Sequence, residues 1–251
     1  KSFEKLKYIS KAIHSFERVK FLDTLGSVHY QQANVYLTKV WENCIKEALA
    51  HYDRGEYKAT IQFCSKAKEI YPEDLNAYLF AGKAADELND LKILRENYYR
   101  LVYAGYYRKQ IFDRLIQIEK SKGNEANILW LLNLAAVTIQ NKEKDYLKEK
   151  IVFLQNKSAW SEAEKNILDS DIQLQQSTSF KLLLANNYLN TKKFKKAKQL
   201  IYSIIPKTEK EKLLKAEICH DLALDIYIDR GDKDGNIALI KPEIQLLEQA
   251  R

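Results

Sequence analysis

The residues that could carry catalysis or hold a metal are few and scattered along this chain. The four histidines stand far apart, at His14, His29, His51 and His220. They form no HExxH pair, and no cysteines or carboxylates stand near them at the spacing of a zinc site. The seven glycines never gather around a lysine, as a phosphate-binding loop requires. The sequence therefore predicts a protein that is not an enzyme and that uses no cofactor and no metal.

The three cysteines are the other candidates for chemistry. Cys44, Cys64 and Cys219 are widely spread, and each falls on an apolar face. Cysteines of this kind pack as small hydrophobic side chains, so we expect all three to be buried. Cys44 and Cys64 lie on facing helices of one predicted repeat. A disulfide between them is therefore an alternative to two free thiols if the compartment is oxidising.

The elements that carry these residues follow a fixed period. Gly55, Asn89 and Gly123 stand 34 residues apart, and each interrupts a helical pattern. Small or apolar residues recur at the same spacing in further columns: Ala48 and Gly82; Ala67, Leu101 and Ala135; Cys44, Tyr78 and Phe112. A period of this length, built from two short amphipathic helices, indicates a solenoid of helical hairpins. The low content of glycine and proline also favours a nearly all-helical chain.

Two stretches resemble a known family. Residues 47–72, EALAHYDRGEYKATIQFCSKAKEIYP, closely resemble a tetratricopeptide repeat (TPR), from its first helix to the closing Pro72. Residues 180–201 repeat the pattern, with Leu184, Ala185, Tyr188 and Ala197 on its core positions. The resemblance implies an all-α fold, a right-handed α-solenoid of antiparallel helix pairs. It also implies a non-enzymatic scaffold that binds proteins or peptides.

The repeat phase divides the chain into four segments. Residues 1–40 are predicted to form an N-terminal helical cap or degenerate repeat, with one helix over 1–25 and a second that Ser27 caps. Residues 41–142 hold three TPR-like repeats. Residues 143–179 are predicted as an irregular helical connection, in which Ser161 and Glu164 form a capping box. Residues 180–251 hold C-terminal TPR-like repeats, a turn at 231–232 and a closing helix over 237–247.

One stretch, residues 95–109, interleaves aromatic and cationic side chains. Its tyrosines and cations are Tyr98, Tyr99, Tyr103, Tyr106 and Tyr107 with Arg95, Arg100, Arg108 and Lys109. Tyrosines beside arginines stack on bases or anchor a protein partner. Tyr98 falls on a core column of the repeat, however, and Tyr106 and Tyr107 lie at a junction between repeats. The pattern therefore favours packing, with contact to a protein or a nucleic acid as the alternatives.

The resemblance also implies where a ligand binds. In TPR proteins the first helices of successive repeats line a concave groove that holds a peptide or a partner helix. Carried over position by position, the groove residues are Ile45, Lys46, Leu49 and Tyr52; Asn76, Leu79, Phe80 and Lys83; Gln110, Asp113, Arg114 and Gln117. Members that bind chaperones grip a C-terminal carboxylate with Lys and Asn. Here Ile45, Leu49 and Phe80 stand at three of those positions, which disfavours that specialised function.

The chemistry of the groove predicts the chemistry of its partner. Lys46, Lys83 and Arg114 are expected to present three cations along one wall, because neighbouring first helices pack closely. The floor is expected to be apolar, formed by Ile45, Leu49, Leu79 and Phe80. Asp86, Glu87 and Asp113 dilute the positive field. We therefore expect the partner to be an extended segment or a helix that mixes acidic and apolar residues.

Overall composition narrows the remaining classes. The net charge of +7 favours acidic partners but falls short of the clustered basic face of a nucleic-acid binder. No apolar run is long enough to cross a membrane, and no signal peptide is visible. The composition, rich in Lys, Ile and Asn, indicates a bacterial origin.

The start of the chain leaves a second function open. It begins at Lys1 without an initiator methionine, so we expect an upstream signal, anchor or domain. The alternative function is the ligand-sensing part of a larger transcriptional regulator. A cytoplasmic location is expected, with a periplasmic or lipid-anchored one if a signal was removed.

Overall fold

The computed structural model describes residues 2–23 and 27–230, with side chains over 4–23 and 27–224. Within these ranges the regular structure is entirely helical. The helices are α1 (Ser2–Leu22), α2 (Val28–Asp53), α3 (Tyr57–Ile70), α4 (Leu75–Glu87), α5 (Leu91–Tyr103), α6 (Lys109–Ser121), α7 (Glu125–Thr138), α8 (Glu143–Asn156), α9 (Trp160–Leu168), α10 (Ile172–Gln176), α11 (Thr178–Asn190), α12 (Phe194–Tyr202) and α13 (Glu209–Arg230). No described helix is both long and apolar enough to span a membrane.

The helices belong to two compact units, Lys1–Leu131 and Leu132–Arg251. In the first unit, α2 packs on α3, α4 packs on α3 and α5, and α1 packs on α2 and α3. Its core joins apolar residues of the first four helices: Leu6, Ile9, Ile13, Leu37, Cys44, Ala48, Phe63, Cys64, Ala67, Ile70, Ala77 and Ala81. Most of the core residues on α2, α3 and α4 are alanine or cysteine, because helices that cross closely leave no room for larger side chains.

The second unit has a core of its own. Here α8 packs on α9, and α11 packs on α9, α12 and α13. Leu182, Ala185 and Leu189 of α11 meet Ala197 and Ile201 of α12 in this core. The buried Gln155 side chain on α8 donates from Nε2 to the carbonyl oxygen of Leu183, at 2.7 Å. This bond ties α8 to α11.

Within the described residues the same turn closes five hairpins, and it recurs at Gly105 between α5 and α6. Gly55, Asn89 and Gly123 have positive φ angles of 73°, 53° and 66°, and Ser158 and Lys192 follow with 56° and 58°. In each turn this residue donates its N–H to the carbonyl three residues back, and the next residue donates to the carbonyl five residues back. These two bonds define the Schellman motif, which ends a helix with one left-handed residue. The turn thus recurs beyond the three positions that the 34-residue period marks.

One recurrence lies in residues 143–179, predicted as an irregular connection. There α8 and α9 form a hairpin around Ser158, and the short α10 follows. Ser158 stands 35 residues after Gly123, one residue out of the 34-residue phase, and it is neither glycine nor asparagine. Both features hid this hairpin in the sequence. The predicted limits of the four segments stay a prediction, although α2 runs without a break through residue 40.

The helix caps show one confirmation and one correction. The Ser27 side chain accepts from the Tyr30 N–H at 3.1 Å, so Ser27 caps α2 as predicted. The capping box at Ser161 and Glu164 is wrong, because α9 already begins at Trp160 and no side chain caps it. Glu164 instead pairs with Lys193 at 2.7 Å. The helix predicted over 1–25 ends at Leu22, while the turn at 231–232 and the helix over 237–247 lie outside the described residues.

Candidate functional site

The predicted groove residues all lie in the first unit, on α2, α4 and α6. The structure brings the first two of these helices together through aromatic rings. The ring of Tyr52 lies 6.5 Å from that of Phe80 and 5.5 Å from that of Tyr57, measured between centroids. Ile45 and Phe80 are half-buried and pack against the core of this unit. Leu49 is 42% exposed. The first-helix surface, as we call the twelve predicted residues on α2, α4 and α6, thus has an apolar part.

Charged side chains join α4 to α6 on the same surface. Nε of Arg114 lies 2.7 Å from Oδ1 of Asp86, and its Nη1 donates to Oε1 of Gln117 at 2.5 Å. Asp113 pairs with Lys109 one turn earlier on α6. Asp86 therefore largely neutralises the charge of Arg114, so Arg114 adds less positive charge to the predicted cationic wall than Lys46 and Lys83 do.

Lys46 and Lys83 are the cations of this surface that stay available. Both side chains are exposed, and neither forms an ion pair with another residue in the part of the chain that the structure describes. Gln110 is exposed as well. Asn76 is held at the start of α4, where its backbone N–H and its side-chain Nδ2 both donate to Oδ1 of Asp74 at 3.1 Å.

A close helix crossing fixes the position of the residues on α4. Gly82 is buried where α4 meets α5, and a Cβ placed on it would lie only 2.4 Å from Cε1 of Tyr98. Such a separation is too short for two carbon atoms, so no larger residue fits without movement. Because Phe80 and Lys83 lie beside Gly82 on α4, this contact sets where both side chains emerge.

An ion pair between α5 and the buried side of α6 holds α6 in place. Glu119 is fully buried, and its Oε1 accepts from Nε of Arg95 on α5 at 2.5 Å. Its Oε2 accepts from Nδ2 of Asn127 at 3.3 Å. Burial by itself raises the pKa of the Glu119 carboxyl, but the hydrogen bonds from Arg95 and Asn127 outweigh burial and lower it.

Sequence reasoning missed Glu119, although a signal was present. Glu119 follows Phe112, Leu115 and Ile116 at helical spacing, so it continues the apolar stripe of α6. A carboxylate on such a stripe requires a buried partner. The sequence did not reveal which cation that partner is.

The tyrosine-rich stretch divides between core and surface. Tyr98 and Tyr99 are buried, which agrees with the packing interpretation. Tyr103 is 70% exposed and lies 5.6 Å from the ring of Trp130 on α7. Arg95 lies over the ring of Tyr99 at 4.8 Å. No pattern around Trp130 in the sequence indicates this contact.

His51 and the three cysteines take structural places, whereas His14, His29 and His220 are exposed. His51 is buried, stacks on Phe63 with 5.1 Å between ring centroids, and contacts the Glu56 carboxylate. All three cysteines are free and buried, and burial raises the pKa of Cys44 and Cys64 to about 12. Thiols with such pKa values stay protonated at neutral pH and are poor nucleophiles. Across 2–23 and 27–230 no group of His, Cys, Asp and Glu could hold a metal ion.

Comparisons with known proteins give the class of the fold. No family model matches the sequence, and no curated protein matches it. Solved structures do match. The C-terminal part of a TPR repeat-containing protein from Cytophaga hutchinsonii aligns with a TM-score of 0.51 at 15% identity, over 82% of this chain and 78% of that chain.

Two further structures are similar. YrrB, a TPR protein with an unusual peptide-binding site, aligns with a TM-score of 0.46 at 18% identity, over 76% of this chain and 96% of its own. A tetratricopeptide repeat protein from Parabacteroides merdae gives a TM-score of 0.43 at 12% identity, over 83% of this chain and 98% of its own. With the hairpins described above, the Cytophaga match shows that this chain has the TPR fold, an all-α solenoid of helix pairs, as the sequence predicted.

Proposed function

We propose that this protein is a non-enzymatic scaffold that binds a protein or peptide segment on the first-helix surface. One observation carries the proposal: the exposed Leu49 and the Tyr52–Phe80 pair lie on the same two helices as Lys46 and Lys83, which are exposed and have no ion-pair partner among the described residues. Apolar side chains supply the area that a partner can remove from water, and cations beside them select a partner of opposite charge.

The partner that fits is an extended segment or a short helix with both apolar and acidic residues. Its apolar side chains would contact Leu49, Leu79 and Phe80, and its carboxylates would face Lys46 and Lys83. The Asp86–Arg114 pair offers no net charge at the α6 end of the surface. The attraction between the partner's carboxylates and this surface is therefore strongest near α2 and α4.

Selection from a displayed library of random peptides tests the proposal. We expect the recovered peptides to combine carboxylates with apolar residues. Binding should protect the backbone amides of α2 and α4 from hydrogen exchange more than those of α3 and α5. Peptides that protect only α3 and α5 would overturn the proposed surface. Substrate turnover that one point change abolishes would overturn the non-enzymatic part.

A further inference from the structure

A second apolar groove lies between α1 and the N-terminal half of α2. This open groove has a volume of about 320 Å³. Ile9, Ala12 and Phe16 of α1 meet Val40 of α2 along its floor, and Tyr8 and Tyr36 stand on opposite sides. This is the α1–α2 groove. Grooves between paired helices accept a third helix, because the side-chain ridge of one helix fits the space between two others.

The α2 wall of the groove is held in place although it is exposed. Tyr8 is 69% and Tyr36 50% exposed. The Tyr36 ring stacks on Phe16 with 5.2 Å between centroids, and Phe16 in turn packs on the core of the first unit. Rigid aromatic side chains lose little conformational entropy when a partner binds. The Tyr36 side of the groove is therefore already shaped for an apolar ridge.

Charge determines which kind of partner fits. Lys39 is the single charged residue in the lining, and within the described residues no carboxylate lines the groove. Lys39 lies over the Tyr36 ring at 5.7 Å and has no ion-pair partner in the described part of the chain. Lys11 follows Tyr8 by three residues on α1 and likewise has no described ion-pair partner. Helix α1 as a whole carries five cations and two carboxylates.

We infer that the α1–α2 groove binds an amphipathic helix of another protein, with an apolar ridge and acidic residues beside it. The apolar ridge enters between Tyr8 and Tyr36, and the carboxylates face Lys39 and Lys11. A second copy of this chain fits less well, because it would bring another cationic α1 close to the first and like charges repel.

The aromatic walls of this groove are separate from the apolar part of the first-helix surface, although Lys46 follows Lys39 by seven residues, about two turns, and lies on the same face of α2. Ile45 follows Tyr36 by nine residues on α2, which is about two and a half helical turns, so the two side chains point in opposite directions. The inference does not depend on the proposed function.

Two synthetic helical peptides test the inference. They share one apolar ridge, and glutamates flank it in the first peptide where lysines flank it in the second. Binding to the whole chain is followed by fluorescence anisotropy. We expect the acidic peptide to bind about tenfold or more tightly than the basic one, with a difference that shrinks as salt rises.

Matched variants locate the binding. Tyr8→Ala should weaken the acidic peptide severalfold, whereas Tyr103→Ala, which removes a tyrosine of the same exposure on α5, should not. Lys39→Glu should weaken it, whereas Lys58→Glu, an exposed lysine on α3, should leave it unchanged. Circular dichroism of each variant checks that the helices remain.

Three outcomes would overturn the inference. The first is equal binding of the two peptides. The second is sensitivity to Lys46→Glu and Lys83→Glu but not to Tyr8→Ala and Lys39→Glu, which would place the peptide on the first-helix surface and support the proposed function alone. The third is a dimer in sedimentation that Tyr8→Ala dissociates, which would assign the groove to a second copy.

Discussion

At the scale of single residues, the Gly82–Tyr98 contact decides how closely α4 approaches α5. Tyr98 is almost fully buried and its ring faces the Gly82 backbone. Because the first-helix surface uses residues on both sides of Gly82, this contact links stability to the shape of the candidate site. Ala48, fully buried on α2, holds the corresponding column position one repeat earlier.

We expect Gly82→Leu or Ala48→Leu to lower the free energy of unfolding by roughly 1–3 kcal/mol, because neither site has room for a larger side chain. Lys83→Leu, one residue away and exposed, should change it far less. Chemical denaturation followed by circular dichroism measures all three. Equal losses for the three variants would show that the repeat register is wrong.

The buried Glu119 makes a second prediction at this scale. Its folded pKa lies below the unfolded value, so it stabilises the fold above that unfolded value, about pH 4.3, and the contribution is lost as pH falls through the folded pKa. In Glu119→Gln the free energy of unfolding should therefore fall less steeply between neutral pH and about pH 3. Urea titrations at several pH values measure this slope. The exposed Glu143→Gln is the control, and a slope unchanged in Glu119→Gln would contradict the argument.

At the scale of elements, the turn between paired helices is the repeated unit. Gly55 and Gly123 adopt the left-handed conformation without strain, but Lys192 adopts it at φ 58° with a side chain that disfavours it. The hairpin of α11 and α12 therefore carries a local cost that the first hairpin does not.

Lys192→Gly should raise the free energy of unfolding by about 1 kcal/mol, because glycine adopts this conformation without the Cβ clash. Lys192→Ala should not raise it, since alanine keeps the Cβ. Thermal and urea denaturation of the two variants beside the wild type measures the difference. A gain of the same size in both would assign the effect to the lysine charge instead of the backbone.

The elements also show what could be read from the sequence. Glycine or asparagine at the left-handed position revealed three hairpins, and the family pattern around residues 180–201 revealed another. Ser158 stayed hidden, because serine does not favour the left-handed conformation as glycine and asparagine do, and because the phase slipped by one residue. The same period also predicted which helices carry the candidate site. The ion-pair partners of Arg114 and Glu119 could not be predicted from the sequence. These pairs join residues 28 and 24 positions apart, and they depend on side-chain rotamers that no sequence pattern encodes.

At the scale of the whole molecule, net charge controls how fast a partner arrives. The chain carries a net charge of +7, and long-range attraction speeds the encounter with an acidic segment. Local apolar contacts then decide how long the partner stays. The two contributions are separable by mutation.

For an acidic, apolar peptide obtained by library selection, Phe80→Ala should cost ~1–2 kcal/mol of binding free energy, mainly through faster dissociation. Lys46→Glu and Lys83→Glu should slow association, and this effect should fade as salt rises. Surface plasmon resonance separates the two rates. Lys58→Glu changes the net charge equally but lies on α3, so it should slow association less. Indifference of the peptide to Phe80, Lys46 and Lys83 would end the proposal for this surface.

The Schellman turns of the described residues, five within helix pairs and one at Gly105 between α5 and α6, bear on how the chain folds. Each is closed by backbone bonds between residues no more than five apart, so its loop-closure entropy is small. Helix pairs joined in this way have low contact order, and proteins of low contact order fold fast. Each hairpin can form before its neighbours, and a neighbouring hairpin can then fold by packing against it. We expect rapid folding that is governed by local encounters instead of a search for distant ones.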